Sequence, residues 1–142
     1  MNDILHQLAP AEGLVSIITP AFNEAENLPS LFERLNKAFD NLDLPWEWVV
    51  VDDHSSDSTF AVVSNIAERN KFAHCIRLSR NFGFHVGLIC GLKHAQGSSA
   101  IVMAADYQDP PEVIRQLIEK WRDGCHIVWA ARLTIALAYA TY

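Results

Sequence analysis

Residues 103–112 read Met-Ala-Ala-Asp-Tyr-Gln-Asp-Pro-Pro-Glu. An apolar run over 100–105 stops at the carboxylate of Asp106, and Gln108, Asp109 and two prolines follow. A buried strand that ends in oxygen donors beside a helix start is a place to hold a metal-bound diphosphate. Hard divalent cations take oxygen ligands and keep waters and substrate phosphates in their shell. Asp106 and Gln108 alternate in an extended chain, so both can face the same side, and they are the candidate metal ligands. Asp109 is better placed to cap the helix that starts at Pro110. Ala104, two residues before Asp106, carries no ligand atom.

Three further polar clusters follow apolar runs. In 19–24, Pro20 would stiffen a loop that carries Phe22 for packing against a base, with Glu24 as a hydrogen-bond acceptor. The plainer reading is a strand-to-helix connection capped by Asn23. In 51–57, the adjacent carboxylates of Asp52 and Asp53 behind Val51 repel each other and are hard to satisfy structurally, so one is a candidate acceptor for a ribose or a base. Ser56 or Asp57 can cap the next helix. In 80–83, Arg80 faces either a phosphate or a surface carboxylate, and Gly83 serves the loop. Gly87 and Gly91 lie four apart, which makes one smooth helix face for close packing on a sheet rather than a G-x-G-x-x-G phosphate loop. His85, at a helix start, is expected in solvent.

The elements that position these clusters alternate. Strands are expected at 14–19, 46–51, 73–78, 99–105 and 126–131. Between them, Asn23 and Glu26 have the spacing of a capping box, and Leu28, Leu31, Phe32, Leu35 and Phe39 recur at helical spacing behind it. Residues 59–69 and 84–95 read as helices, and a further helix opens at Pro110, with Val113, Leu117, Ile118 and Trp121 on its core face. Repeated strand–helix units with apolar strands predict an α/β fold, a mostly parallel sheet covered on both faces. In such sheets ligands bind outside the carboxyl ends of the strands, which is where all the polar clusters fall.

Composition limits the function classes. The 142 residues make one domain with a real core, half hydrophobic and a fifth charged. A net charge of −6 and scattered Lys and Arg argue against nucleic acid as a partner. Cys75, Cys90 and Cys125 are odd in number and far apart, which suits free, buried thiols in a reducing compartment. Residues 1–12 lack the pattern of a signal peptide, and no apolar run approaches the ~20 residues of a membrane span, so a cytoplasmic location is expected.

Taken in order and spacing, the clusters resemble family-two glycosyltransferases with the GT-A fold, most nearly the dolichol-phosphate mannose synthase-like branch that acts on polyprenyl phosphates. The resemblance rests on 16–28 (Ser-Ile-Ile-Thr-Pro-Ala-Phe-Asn-Glu-Ala-Glu-Asn-Leu), 49–59 (Val-Val-Val-Asp-Asp-His-Ser-Ser-Asp-Ser-Thr), 78–83 (Leu-Ser-Arg-Asn-Phe-Gly) and 106–114 (Asp-Tyr-Gln-Asp-Pro-Pro-Glu-Val-Ile). It implies a three-layer α/β/α nucleotide-diphospho-sugar transferase domain over 13–132, an extension at 1–12 and an atypical tail at 133–142. It implies transfer of a sugar from a UDP- or GDP-sugar donor to a dolichol- or undecaprenyl-type phosphate at the inner face of the membrane, assisted by Mg2+ or Mn2+.

By position, Pro20, Phe22, Glu24, Val51, Asp52, Asp53, Arg80 and Gly83 would surround the nucleotide. Asp106 and Gln108 would hold the metal, and Asp106 with Arg132 would serve catalysis by offsetting charge on the departing diphosphate. The family motif begins with an aspartate where this chain has Ala104, and family members continue past Arg132 with an acceptor-binding segment. Weaker metal or donor binding is the expected consequence, and a nucleotide-sugar-binding remnant without turnover is the alternative. An uncovered sheet edge would also invite homo-oligomers. A phosphoacceptor receiver domain fits less well, because the paired aspartates follow the second strand and no lysine ends the fifth.

Overall fold

A computed structural model describes residues 13–106, 108 and 110–131. Arg132 and Asp109, with the roles expected for them, lie outside the described residues. The chain runs β1 (Val15–Ala21), α1 (Leu28–Phe39), β2 (Trp46–Asp52), α2 (Thr59–Arg69), β3 (Ala73–Arg77), α3 (Phe84–His94), β4 (Ser99–Val102), a 3-10 turn (Pro111–Val113) and α4 (Ile114–Arg122). The strands form one sheet in the order β3-β2-β1-β4, every pairing parallel. β1 is central and buried throughout, which explains its continuous apolar run.

Alternation along the strands splits the core between two faces. Val15, Ile17, Trp48, Val50 and Ala73 pack with Leu28, Leu31, Leu35 and Phe39 of α1, Val63 of α2, and Ile114 and Ile118 of α4. The periodicity read for α1 is therefore the buried face. On α4 the buried pair is Ile114 and Ile118, while Leu117 and Trp121, and Val113 in the preceding 3-10 turn, are half-buried. Phe32 stacks on Trp48 at 5.4 Å, and the Trp48 indole N–H donates to Thr19 Oγ1 at 2.9 Å, so a large aromatic is buried without an unsatisfied donor. The opposite face holds Ile18, Val49 and Val51 beneath α3. Gly87 and Gly91 let that helix lie close, as expected. A Cβ on Gly91 would sit 2.4 Å from Ile18 Cγ2, and one on Gly87 would sit 3.2 Å from Pro20 Cβ.

Three expectations change. The capping box on Asn23 and Glu26 does not form: α1 begins at Leu28, with Pro29 in its first turn. Proline is tolerated only there, so it fixes the start, and Asn23 adopts φ 57° in the preceding loop. The fourth strand ends at Val102 rather than at residue 105. Met103 N–H still donates to Ile18 O, and the chain then turns. Among the described residues β4 is paired on one side only, so nothing extends the ladder. The fifth strand expected at 126–131 is absent. Ile127 and Trp129 are more than four-fifths exposed, and apolar composition without a ladder partner leaves the segment irregular.

The cysteines are free, Cys75 and Cys90 half-buried and Cys125 exposed rather than all buried. No helix among the described residues is long and apolar enough to cross a membrane.

Candidate functional site

The loops after β1 and β2 are knit together by reciprocal hydrogen bonds. Asn23 Oδ1 accepts from Ser56 N–H at 2.9 Å, from Ser56 Oγ at 3.2 Å and from Asp57 N–H at 3.4 Å. In return Asn23 N–H donates to Ser55 Oγ, Glu24 N–H to Thr59 Oγ1 and Ala25 N–H to Asp57 Oδ2. The left-handed backbone at Asn23 turns its amide towards the second loop, and asparagine tolerates that conformation better than most residues. Burial pushes the Asp57 carboxyl up, but hydrogen bonds from the Thr59 side chain and backbone and from Ala25 outweigh it and hold it below the usual carboxylate range. Sequence reasoning assigned Asn23 to the wrong element and missed Ser55 and Thr59 as partners. The usable signal was an asparagine ahead of the proline-fixed helix start.

Asp52 and Asp53 do not face each other. Successive side chains leave a strand on opposite faces, so the expected repulsion is avoided by geometry. Asp52 is fully buried: Oδ1 accepts from Ser55 N–H, and Oδ2 lies 3.2 Å from Arg77 Nε. That contact is an ion pair without an aligned hydrogen bond, because Oδ2 has no donor aimed at it. Arg77 also donates to Ser55 O and lies over the Phe60 ring. Asp53 points to the α3 side, where its oxygens accept from Phe82 N–H at 2.8 Å and Gly83 N–H at 2.7 Å. Gly83, at φ 89°, allows the chain to turn into α3 there. Asp53 thus fastens the loop after β3 to the end of β2.

Around this frame, Phe22 is half-exposed at the loop tip, and Glu24 accepts from the Asn27 side chain. Pro20 and Val51 are buried beside Gly87, so their side chains form the floor of the edge. Arg80 is exposed, its guanidinium 4.6 Å from the Phe82 ring centre.

Asp106 follows β4 at the same edge. It and Gln108 lie in a bend rather than in extended chain. Asp106 accepts from Gln108 N–H at 3.2 Å and from Gln108 Nε2 at 2.6 Å. The two side chains are brought together, though by bonding to each other rather than by strand alternation. The loop is anchored from behind by Arg34, which grips Glu112 through Nε and Nη2 at 3.1 and 2.7 Å and holds that carboxyl below its usual range. No cluster of three or more metal-binding acids, histidines or cysteines occurs among the described residues. One exposed carboxylate beside an amide still fits a hard cation that takes most of its shell from water and substrate phosphate, since each Asp106 oxygen keeps a second lone pair.

The family described as Glycosyl transferase family 2 matches residues 16–141. An uncharacterized glycosyltransferase of Synechocystis sp. is 41% identical over 118 residues, covering 83% of this chain and 37% of that protein. An undecaprenyl-phosphate 4-deoxy-4-formamido-L-arabinose transferase of Salmonella choleraesuis is 36% identical over 119 residues, covering 83% and 36%. A mannosyltransferase from Pyrobaculum calidifontis, solved with GDP-Man and Mn2+, superposes with a TM-score of 0.60 at 28% identity, covering 78% of this chain and 32% of that one. The chain therefore spans a little over a third of the length of the two curated relatives.

Proposed function

The chain belongs to glycosyl transferase family 2 and has the α/β fold of GT-A glycosyltransferases, and on that premise we propose that residues 13–132 bind a nucleotide-sugar donor and transfer its sugar to a polyprenyl phosphate. The observation that carries this is the preorganised carboxyl edge: Asn23 and Asp53 lock three strand-end loops into one rim. Rigid donors and acceptors at such an edge bind a ligand with little ordering cost.

Phe22 offers a ring face to the base, and Glu24 offers an acceptor. Pro20 and Val51 shape the floor, and Asp52 and Asp53 hold the rim in place. Gly83 and Arg80 border it on the α3 side, where Arg80 would meet phosphate. Asp106 and Gln108 would hold Mg2+ or Mn2+ together with the donor diphosphate. A bound divalent ion supplies charge neutralisation for the leaving nucleoside diphosphate. Arg132 adds a second positive charge for the same purpose. The acceptor phosphate is already anionic, so its attack on the anomeric carbon needs little help from a base.

The Salmonella relative is named for an undecaprenyl-phosphate acceptor and the Pyrobaculum protein was solved with GDP-mannose and Mn2+, which supports the acceptor and donor classes. Ala104 favours a second reading, donor binding without turnover, because it removes a carboxylate from the metal end of the site. A transfer assay separates them: sugar moving from a labelled UDP- or GDP-sugar into undecaprenyl phosphate supports the enzyme. Donor binding with no lipid product would establish the second reading.

A further inference from the structure

No aspartate or glutamate occurs between Glu68 and Asp106, although the chain has 17. The same stretch holds Arg69, Lys71, Arg77, Arg80 and Lys93 out of 11 basic residues. The acids are thus segregated away from the part of the chain that builds β3, α3 and β4.

Among the described residues α3 is the only helix on its side of the sheet, since α1, α2 and α4 all pack on the other. It turns Gly87 and Gly91 inward. Val86, Ile89 and Leu92 follow at three-residue steps and are 42, 55 and 44% exposed, one outward apolar stripe. Phe82 lies exposed just before the helix, and His85 and Lys93 lie exposed along the stripe, whereas Phe84 and His94 fall at the helical spacing of Gly87 and Gly91 on the other side of α3. Arg80 adds a cation beside Phe82. Asp53 and Glu47, carboxylates on this side of the sheet, are both nearly buried. Asp53 is held by Phe82 and Gly83, and Glu47 accepts from Ser16 Oγ and Gln96 N–H and pairs with His74.

We propose that the outward face of α3 is a docking surface for an anionic lipid bilayer. The helix would lie in the headgroup plane, with Val86, Ile89, Leu92 and Phe82 entering the acyl boundary and Lys93 among the phosphates. An apolar helix face flanked by cations is what binds such an interface, and attraction to anionic lipid adds to the buried area. A second copy of this chain fits less well, because a self-paired face would bring Lys93 and Arg80 towards their own kind. Nucleic acid fits less well, because the apolar stripe offers nothing to a phosphate backbone. The inference is independent of the proposed transfer reaction. If both hold, docking sets the Gly83 end of α3, and with it the carboxyl edge of the sheet, beside lipid headgroups.

The test is co-sedimentation of the whole chain with vesicles of phosphatidylcholine alone and of phosphatidylcholine mixed with phosphatidylglycerol. The chain is expected to partition onto the mixed vesicles, less so as salt rises. Ile89→Glu is expected to lower the partition coefficient by about tenfold and Lys93→Glu by several-fold. Ile89 is solvent-exposed, and unchanged circular dichroism would show that its variant still folds. Ile127→Glu, an exposed apolar site outside α3, is expected to change nothing. No partition onto the anionic vesicles, or equal loss with Ile127→Glu, would overturn the proposal. So would a concentration-dependent dimer abolished by Ile89→Glu in a chain that ignores vesicles, which would make a second copy the occupant.

Discussion

At the scale of residues, the side chains that set the geometry of the rim are not the ones that looked most chemical. Asn23 reads as a helix cap because a glutamate stands three positions on, which is a local signal. Its actual partners, Ser56 and Asp57, are more than thirty residues away, and only the parallel pairing of β1 and β2 brings them together. The paired aspartates were legible as unusual, but their separation onto two faces required the strand to be known. Removing the Asn23 amide leaves the Ser56 and Asp57 N–H groups to water and places alanine at positive φ. Asn23→Ala should cost about 1–2 kcal/mol in urea denaturation, and Asn23→Gly, which removes the backbone strain, less than that. Ala104 bears on function instead. Restoring a carboxylate there with Ala104→Asp should tighten Mn2+-dependent nucleotide binding in a calorimetric titration, and an unchanged affinity would show that Ala104 limits nothing.

At the scale of elements, the first three strands were legible as short apolar runs and α1 as a periodic apolar face, and α1 matches its expected core positions well. The glycine pair of α3 was legible as a packing device for the same reason: it recurs at one-turn spacing. A methyl group at residue 91 would meet both Ile18 and Val51, residues locked in paired strands, so the helix would have to lift. Gly91→Ala should destabilise by roughly 1–3 kcal/mol in urea denaturation. The strand expected at 126–131 failed because hydrophobicity identifies a segment that wants cover, not the partner that supplies it. The early end of β4 has the same origin, a strand paired on one side among the described residues.

At the scale of the whole molecule, charge separates along the chain, with no carboxylate between Glu68 and Asp106 and all 17 outside that stretch. Two carboxyls, Asp57 and Glu112, are held below their ordinary values, and each ties a site loop to a neighbouring element. The unfolded chain binds more protons than the native one as pH drops through this range, so the stability they supply is full above the unfolded carboxylate value. It is lost as pH falls through the depressed native ones. The melting temperature should stay level down to about pH 5 and decline below about pH 4, with a shallower decline in Asp57→Asn. The placement of the candidate site at the carboxyl edge was legible from the strand–helix alternation. The clasp that stiffens it was not, because it joins residues distant in sequence.

The central claim, that this edge binds a nucleotide diphosphate with a divalent ion, is tested most directly by calorimetric titration of the chain with UDP and with GDP, in Mn2+ and in EDTA. Saturable binding of at least one nucleotide, lost or much weakened in EDTA, is the predicted result. No binding of either, or binding as tight in EDTA as in Mn2+, would contradict it.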